Sequence, residues 1–358
     1  MTEFPPGPGG IGSHAYGLAT SLVLQGSKVK VLTNADYVDQ TVTADFDKKQ
    51  LFEIQRFTRY GQWVYFKRIR LIYKTLQTQV FDTVVLSNTF ALWMALWIRI
   101  WKPKQRIVAV VHGSEVNPAS FRRILTHKAL RRCSQIVAVS QYTASILPDR
   151  IQKRVPVVVI PNGIDIHRWN LVSPTAIKLS GSPKLLTVGN VTSRKGQQCV
   201  IAALPHLLSL YPELHYHIVG LPTQKEEFLA LAKQLKVEVH VTFHGKIASL
   251  EELAGYYQAA DVFMLLSQNQ ANGDVEGFGI VALEAGLFGL PVIGAVGSGV
   301  AEAVCEKFSG MLVEGNNPEQ IGEALRQCLC SSDMRTNTRQ WAEAHSWEKI
   351  VGEYLKVL

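Results

Sequence analysis

The sequence predicts an α/β protein built as two doubly wound, Rossmann-like parallel-sheet domains facing a cleft. Three observations carry that prediction. Short apolar stretches alternate with helical patterns along nearly all of the 358 residues, as βα units closing parallel sheets do. The alternation breaks once, at residues 169–183, where Ser173, Pro174, Ser180, Gly181, Ser182 and Pro183 crowd together as in a linker. The length gives each half enough chain for its own core. The division expected is an N-terminal domain over 1–168, a linker over 169–183, a C-terminal domain over 184–345 and a last helix over 346–358.

Composition narrows the class. With 47% hydrophobic and 18% charged residues, the chain fits ordinary globular domains. Five scattered cysteines (133, 199, 305, 328, 330) include no CxxC, which points to reduced thiols and a cytoplasmic setting. The longest aromatic-apolar run, Phe90 to Trp101, contains Arg99. It falls short of the roughly 20 apolar residues that cross a bilayer and reads as a buried helix. The net charge of +8 is uneven: residues 1–180 hold 24 basic and 10 acidic residues, net +14, and the remainder 13 and 19, net −6. Such asymmetry predicts different partners for the two halves. Nothing in the pattern calls for a nucleic acid.

In chain order, Gly7-Pro8-Gly9-Gly10-Ile11-Gly12 satisfies GxGxxG. That pattern needs a strand before it and a helix after it. Ala15, Leu18 and Leu22 supply the helix face, ending near Gly26. Only Met1 to Phe4 precede the prolines, against about 5–6 residues in a usual strand. Thr2-Glu3-Phe4 therefore reads as the remnant of a first strand, whose absence would leave its neighbours with unpaired edges. Val29 to Thr33 is the next strand. Residues 36–58 read as polar and irregular. Within them Asp45-Phe46-Asp47 is a DxD, but it lacks the converging oxygens of a hard-cation site, so no metal is assigned. Gln62 to Gln79 reads as a helix with Tyr65, Ile69, Ile72, Tyr73 and Leu76 on its apolar face and Lys67, Arg70 and Lys74 on another, with Arg68 nearby. A basic face edged by aromatics suits an anionic membrane surface or simply solvent.

Phe81 to Ser87, Arg106 to Val111, Gln135 to Val139 and Val155 to Ile160 read as strands, with helices over Thr89 to Trp101 and Pro118 to Arg132. His112, Ser140 and Asn162 fall at the C-terminal ends of three of these strands, where doubly wound folds gather ligands. After the linker, Lys184 to Gly189, Leu214 to Gly220, Val239 to Gly245, Val262 to Ser267 and Leu290 to Gly294 form a second strand series. Arg194-Lys195-Gly196 lies at the first helix start of that series. A forked guanidinium beside a point charge suits a diphosphate.

The organising stretch is Glu276-Gly277-Phe278-Gly279-Ile280-Val281-Ala282-Leu283-Glu284-Ala285, followed by the strand at Leu290. The glycines let the backbone turn tightly and a ligand come close. A helix opening at the corner aims free N–H groups at an anion. Glu276 would flank that anion, and Glu284, two turns in, would reach a second polar group. A nucleotide-sugar, with a diphosphate at its centre and hydroxyls at both ends, has that shape.

Glu-x7-Glu around Gly-Phe-Gly resembles the signature of retaining glycosyltransferases of family four, which have the two-domain GT-B fold. The resemblance covers nearly the whole chain and implies a retaining, metal-independent hexosyltransferase of polysaccharide or glycolipid biosynthesis. It places Glu284 at the ribose hydroxyls, Glu276 beside the sugar and the backbone of Gly277, Phe278, Gly279, Ile280 and Val281 at the sugar or phosphate. It puts Lys195 on the diphosphate with Arg194 beside it, His112 on the donor sugar, and Gly10 and Gly12 at the donor. Asn162 and Asp165, in Pro-Asn-Gly-x-Asp, would shape the cleft. Asn190 stands where the family has Arg, and Gly220-Leu221-Pro222 replaces its usual Gly-x-Gly. Asp274-Val275-Glu276 is similar to members acting on lipid-linked acceptors. The implied co-substrate is a UDP- or GDP-sugar, with no further cofactor. The acceptor is a glycan, a lipid-linked sugar or a small molecule, and the setting is cytoplasmic or peripheral on the inner membrane face. Three other readings remain: a NAD-type dinucleotide-binding oxidoreductase resting on Gly7 to Gly12, a nucleotide-sugar epimerase or hydrolase on the same fold, and a non-catalytic lectin-like protein.

Overall fold

The computed structural model describes all residues except 2, 8, 36–38, 58–60, 62 and 117–120. Thr2 and Pro8, and the helix starts read at Gln62 and Pro118, lie outside the described residues. The chain forms two compact units, Met1–Gly163 with Trp347–Leu358, and Ile164–Ser346. The boundary thus falls ahead of residues 169–183, which belong to the second unit.

The first unit runs α1 (Gly10–Leu24), β1 (Lys30–Asn34), α2 (Gln40–Lys48), β2 (Glu53–Phe57), α3 (Val64–Thr78), β3 (Thr83–Ser87), α4 (Thr89–Trp101), β4 (Arg106–Val111), α5 (Phe121–Leu130), β5 (Gln135–Ala138), α6 (Gln141–Ser145), α7 (Asp149–Gln152) and β6 (Val157–Val159). All its strand pairings are parallel, but they form two sheets, β1-β2 and β3-β4-β5-β6. A cavity of about 1010 Å³ is lined by Lys30 to Leu32 of β1 and by all of β3. Among the described residues β1 and β3 each pair on one side only. In the same cavity the Met1 ammonium donates to the Leu32 carbonyl at 2.9 Å, and burial lowers its pKa to about 5.

Two readings need correction here. Of the residues 36–58 read as irregular, 39–57 are described and are not irregular: Asp39 caps α2 by accepting from the Thr41 amide, and β2 follows. Asp47 of the DxD is spent on Arg56 at 2.8 Å, which ties α2 to β2. In α3, Arg68 turns inward, over the rings of Tyr65 and Phe90 at 5.4 and 5.7 Å, while Tyr65, Phe66 and Tyr73 face solvent. A guanidinium can stack on aromatic faces and bury its stem, so the outer surface is aromatic as well as basic.

The second unit runs α8 (Ile166–Asn170), β7 (Lys184–Val188), α9 (Gln197–Leu210), β8 (His215–Val219), α10 (Lys225–Gln234), β9 (Val241–Gly245), α11 (Leu250–Ala259), β10 (Val262–Leu265), α12 (Ile280–Leu287), β11 (Val292–Ala295), α13 (Val300–Ala303), β12 (Gly310–Val313), α14 (Pro318–Cys330) and α15 (Met334–Ala344). Its six strands are all parallel in the order β12-β11-β10-β7-β8-β9. Leu185, Ile218, Val262, Met264 and Ile293 lie in one fully enclosed core with Leu204 and Leu207 of α9. The last helix, α16 (Trp347–Val357), belongs to the first unit and packs on α1: there is no room for a Cβ on Gly17 beside the Trp347 indole.

Candidate active site

The strand order of the second unit reverses between β7 and β10. Loops leaving the carboxyl ends of two such strands diverge and open a crevice. The loop after β7 carries Gly189, Asn190 and a 3₁₀ turn over Ser193–Lys195. The loop after β10 carries Gln268 to Gly279. The two are stitched together where the Gln268 amide donates to the Arg194 carbonyl at 2.9 Å. Gly196, at φ 78°, makes this approach possible: a Cβ there would sit 1.8 Å from the Leu266 carbonyl oxygen.

The stitching brings the predicted charges together. Lys195 Nζ lies 2.7 Å from Glu276 Oε2, and Arg194 Nη1 donates to the same oxygen. Arg194 Nε also lies 3.3 Å from Asp274 Oδ2. Burial pushes the Glu276 carboxyl up, but Lys195 and then Arg194 more than offset it, so it titrates below the usual carboxylate range. The Glu276 carboxylate is thus held ionised between two basic side chains, and it and Lys195 are largely shielded from water, which strengthens their interaction.

A helix opens at the glycine corner. Gly279, at φ 86°, is the N-cap of α12; no side chain caps the helix, and its first turn holds no acid. No carboxylate of the first turn therefore meets the N-terminal dipole end of α12. Gly299 sets the corner's position, since its amide donates to the Glu276 carbonyl at 2.9 Å and a Cβ on it would lie 2.0 Å from the Gly277 oxygen. Phe278 is buried beside the His345 ring and offers only its backbone. Ile280 and Val281 form the opening turn of α12.

Glu284 accepts a hydrogen bond at 3.0 Å from the Tyr257 hydroxyl through Oε2. Burial raises its pKa, against the pull of Tyr257, Arg168 and Lys195. Lys195 pairs directly with Glu276 and adds only a lesser pull on Glu284. Asn190 is exposed, and its carbonyl accepts from Gln197 at 3.0 Å and from Thr192 at 3.5 Å.

His112, Gly10 and Gly12 belong to the first unit. His112 follows β4, with Nε2 3.0 Å from Ser87 Oγ, and its amide donates to the Glu115 carboxylate. Burial, and then His14, lowers its pKa far below the usual imidazole value. Gly10 opens α1 with free space around it, whereas Gly12 packs against the Phe4 backbone. His14 escaped the sequence reading. It donates through Nδ1 to Asn162 Oδ1 at 2.8 Å, accepts from Tyr354 at Nε2, and sets its ring edge-on to His112 at 4.9 Å. Its signal was a histidine one residue before Ala15 and four before Leu18 on the buried face of α1. Asp165 caps α8 through the Arg168 amide.

Family models match both parts of the chain, Glycosyltransferase Family 4 over residues 8–168 and Glycosyl transferases group 1 over residues 174–345. A GDP-mannose-dependent alpha-(1-6)-phosphatidylinositol monomannoside mannosyltransferase of Mycobacterium tuberculosis is 27% identical over 377 residues, covering 98% of this chain and 94% of that protein. Sucrose-phosphate synthase from Thermosynechococcus elongatus superposes with a TM-score of 0.76 at 21% identity, over 98% of this chain and 92% of that one. The Anabaena protein HepE, solved with UDP and glucose, gives 0.75 at 19% identity, over 100% and 98%.

Proposed function

The chain belongs to glycosyltransferase family four, and on that premise we propose that it is a retaining, metal-independent transferase that moves a hexose from a nucleoside-diphosphate sugar to a lipid-linked or glycan acceptor. The observation that supports this reading best is the Lys195 ammonium, 2.7 Å from the Glu276 carboxylate where the loops after β7 and β10 meet at the switch point of the second unit. Lys195, Arg194 and the open amides of α12 would exchange their present contacts for the donor diphosphate. As the anomeric C–O bond lengthens, they stabilise the charge that builds on the leaving phosphate. That phosphate then accepts the proton of the attacking hydroxyl, and the new bond forms on the face the old one left. Glu276 orients the sugar and balances its oxocarbenium charge. Glu284 holds the ribose hydroxyls. No cofactor besides the nucleotide-sugar is required in this scheme.

The exposed Tyr65, Phe66 and Tyr73 beside Lys67, Arg70 and Lys74 favour an anionic membrane face as the place where a lipid-linked acceptor is met. No helix among the described residues is long and apolar enough to cross a membrane.

The test is a transfer assay with GDP- and UDP-hexoses, with the anomeric configuration of the product read by NMR. An unchanged configuration and full rates in EDTA support the proposal. An inverted product or loss of activity in chelator contradicts it.

A further inference from the structure

Glu284 is half-buried, ionisable and asked to hold ligand hydroxyls, yet nothing in the Glu-x7-Glu stretch fixes its orientation. The support comes from another helix. Tyr257 of α11 is wholly buried and donates its O–H to Glu284 Oε2 at 3.0 Å. Its ring stacks on Phe288 at 5.5 Å with an interplanar angle of 16°. Trp169 stands edge-on to both rings, at 5.9 and 5.5 Å. A phenol clamped between two aromatic rings has one direction in which to donate.

We propose that Tyr257 is a positioning residue for donor binding: its hydroxyl ties down Glu284 Oε2 and so presents Oε1 to the two adjacent hydroxyls of a nucleotide ribose. The inference rests on the reading of Glu284 as the ribose ligand. Among the described residues the only side-chain hydrogen bond to Glu284 is that of Tyr257, so Oε1 is left for a ligand. The hydroxyl of Tyr257 stays protonated, because burial and then the Glu284 charge raise its pKa well above 10. It can therefore only donate, and the carboxylate it meets must accept. The groups acting on Glu284 are Tyr257, Arg168 and Lys195, and each favours the anion against the cost of burial. Removing the hydroxyl takes away the largest of these three aids. Glu284 then takes up a proton at higher pH, and the carboxylate that receives the ribose is lost sooner on acidification.

The experiment uses the full chain and calorimetric titration with GDP and UDP between pH 5 and 8, with the 2′,3′-dideoxy nucleotides as controls. Tyr257→Phe keeps the stacked ring and removes one hydrogen bond. The expected result is a rise of about 5- to 10-fold in Kd for the better-binding nucleotide and an acid limb of binding displaced to higher pH. A rise in donor KM with little change in kcat should accompany these shifts. The dideoxy nucleotide should bind wild type and Tyr257→Phe alike. Phe288→Leu, which loosens the ring's support and keeps the phenol, should shift Kd in the same direction by less; it decides the matter if Tyr257→Phe does not fold. Glu284→Gln separates the two layers of the argument. If Glu284→Gln weakens nucleotide binding while Tyr257→Phe leaves both Kd and the acid limb in place, the role of Tyr257 is overturned and the ribose reading stands. If Glu284→Gln changes nothing, both fall.

Discussion

Lys195 Nζ and Glu276 Oε2 are 2.7 Å apart, and Arg194 donates to that same oxygen. The cations expected to grip a diphosphate are thus already engaged by the acid expected to face the sugar. Glu276 holds both cations in place, and a diphosphate must displace it to be bound. Lys195→Ala should therefore lower kcat by about 10²- to 10³-fold, the usual effect of removing one oxyanion-stabilising donor. Folding should be nearly unaffected, because Arg194 still pairs with Glu276. Steady-state kinetics beside a thermal melt checks both parts.

Glu276→Gln should separate binding from transfer. A neutral amide competes less well for Lys195 and Arg194, so the free nucleoside diphosphate should bind at least as tightly as in wild type, while transfer falls. Titration calorimetry on the variant reads the first effect and product formation the second. Parallel losses of both would contradict the competition.

Gly299→Ala probes the corner without touching a charge. The backbone at 299, with φ −63°, suits alanine, so the only penalty is the Cβ that would lie 2.0 Å from the Gly277 oxygen. The corner must move, and with it the amides that open α12. Stability should fall by about 1–3 kcal/mol, the range for overpacking a tight site, and nucleotide affinity should fall with it. Urea unfolding and calorimetry are the checks. Alanine at open Gly297 is no control, because φ there is 73°.

Acid should loosen the second unit at a cluster remote from the chemistry. Ser180 offers only a carbonyl, so His217 Nε2–H donates to it at 3.0 Å. His217 Nδ1 must then accept from His244 Nε2–H at 3.1 Å, and His244 Nδ1 accepts from Tyr256 at 3.1 Å. His215 stacks on His217 at 4.7 Å, with His240 beyond it and Lys184 near His217. Burial lowers all three of His215, His217 and His244, the first and last to about 4, and neighbouring imidazoles and Lys184 add to it. Because the folded pKa values lie below the unfolded value of 6.5, the unfolded chain binds more protons. The stability is whole above about pH 6.5 and is lost progressively as pH falls toward 4. The urea midpoint should drop between pH 7 and pH 5. His244→Gln, which keeps a neutral donor to His217, should make that drop smaller.

Much of this was readable from residue order, and the reasons are physical. Strands buried on both faces, such as Arg106–Val111 and Val262–Leu265, show near-continuous apolar runs. Gly196 and Gly279 mark positions where only glycine can take the backbone angle or the close approach, so the site's two loops carried their own punctuation. β2 was not readable: it buries only Phe57 fully and is held by the Arg56–Asp47 pair. α2 buries a single residue, Thr43, and gives no periodic signal. Arg68 looked like one more cation on a basic helix until the rings of Tyr65 and Phe90 were seen around it. Tyr257 lies 27 residues from Glu284 on a different helix, and no spacing rule connects them.

The central claim is that the second unit grips a nucleoside diphosphate through Lys195 at one end and Glu284 at the other. Titration calorimetry of GDP and UDP against wild type, Lys195→Ala and Glu284→Ala tests it most directly. The account predicts saturable binding of at least one nucleotide to wild type, with an affinity lowered by about 10-fold or more in each variant, as loss of a charge-assisted contact implies. Binding that is absent from wild type, or unchanged in both variants, would contradict it.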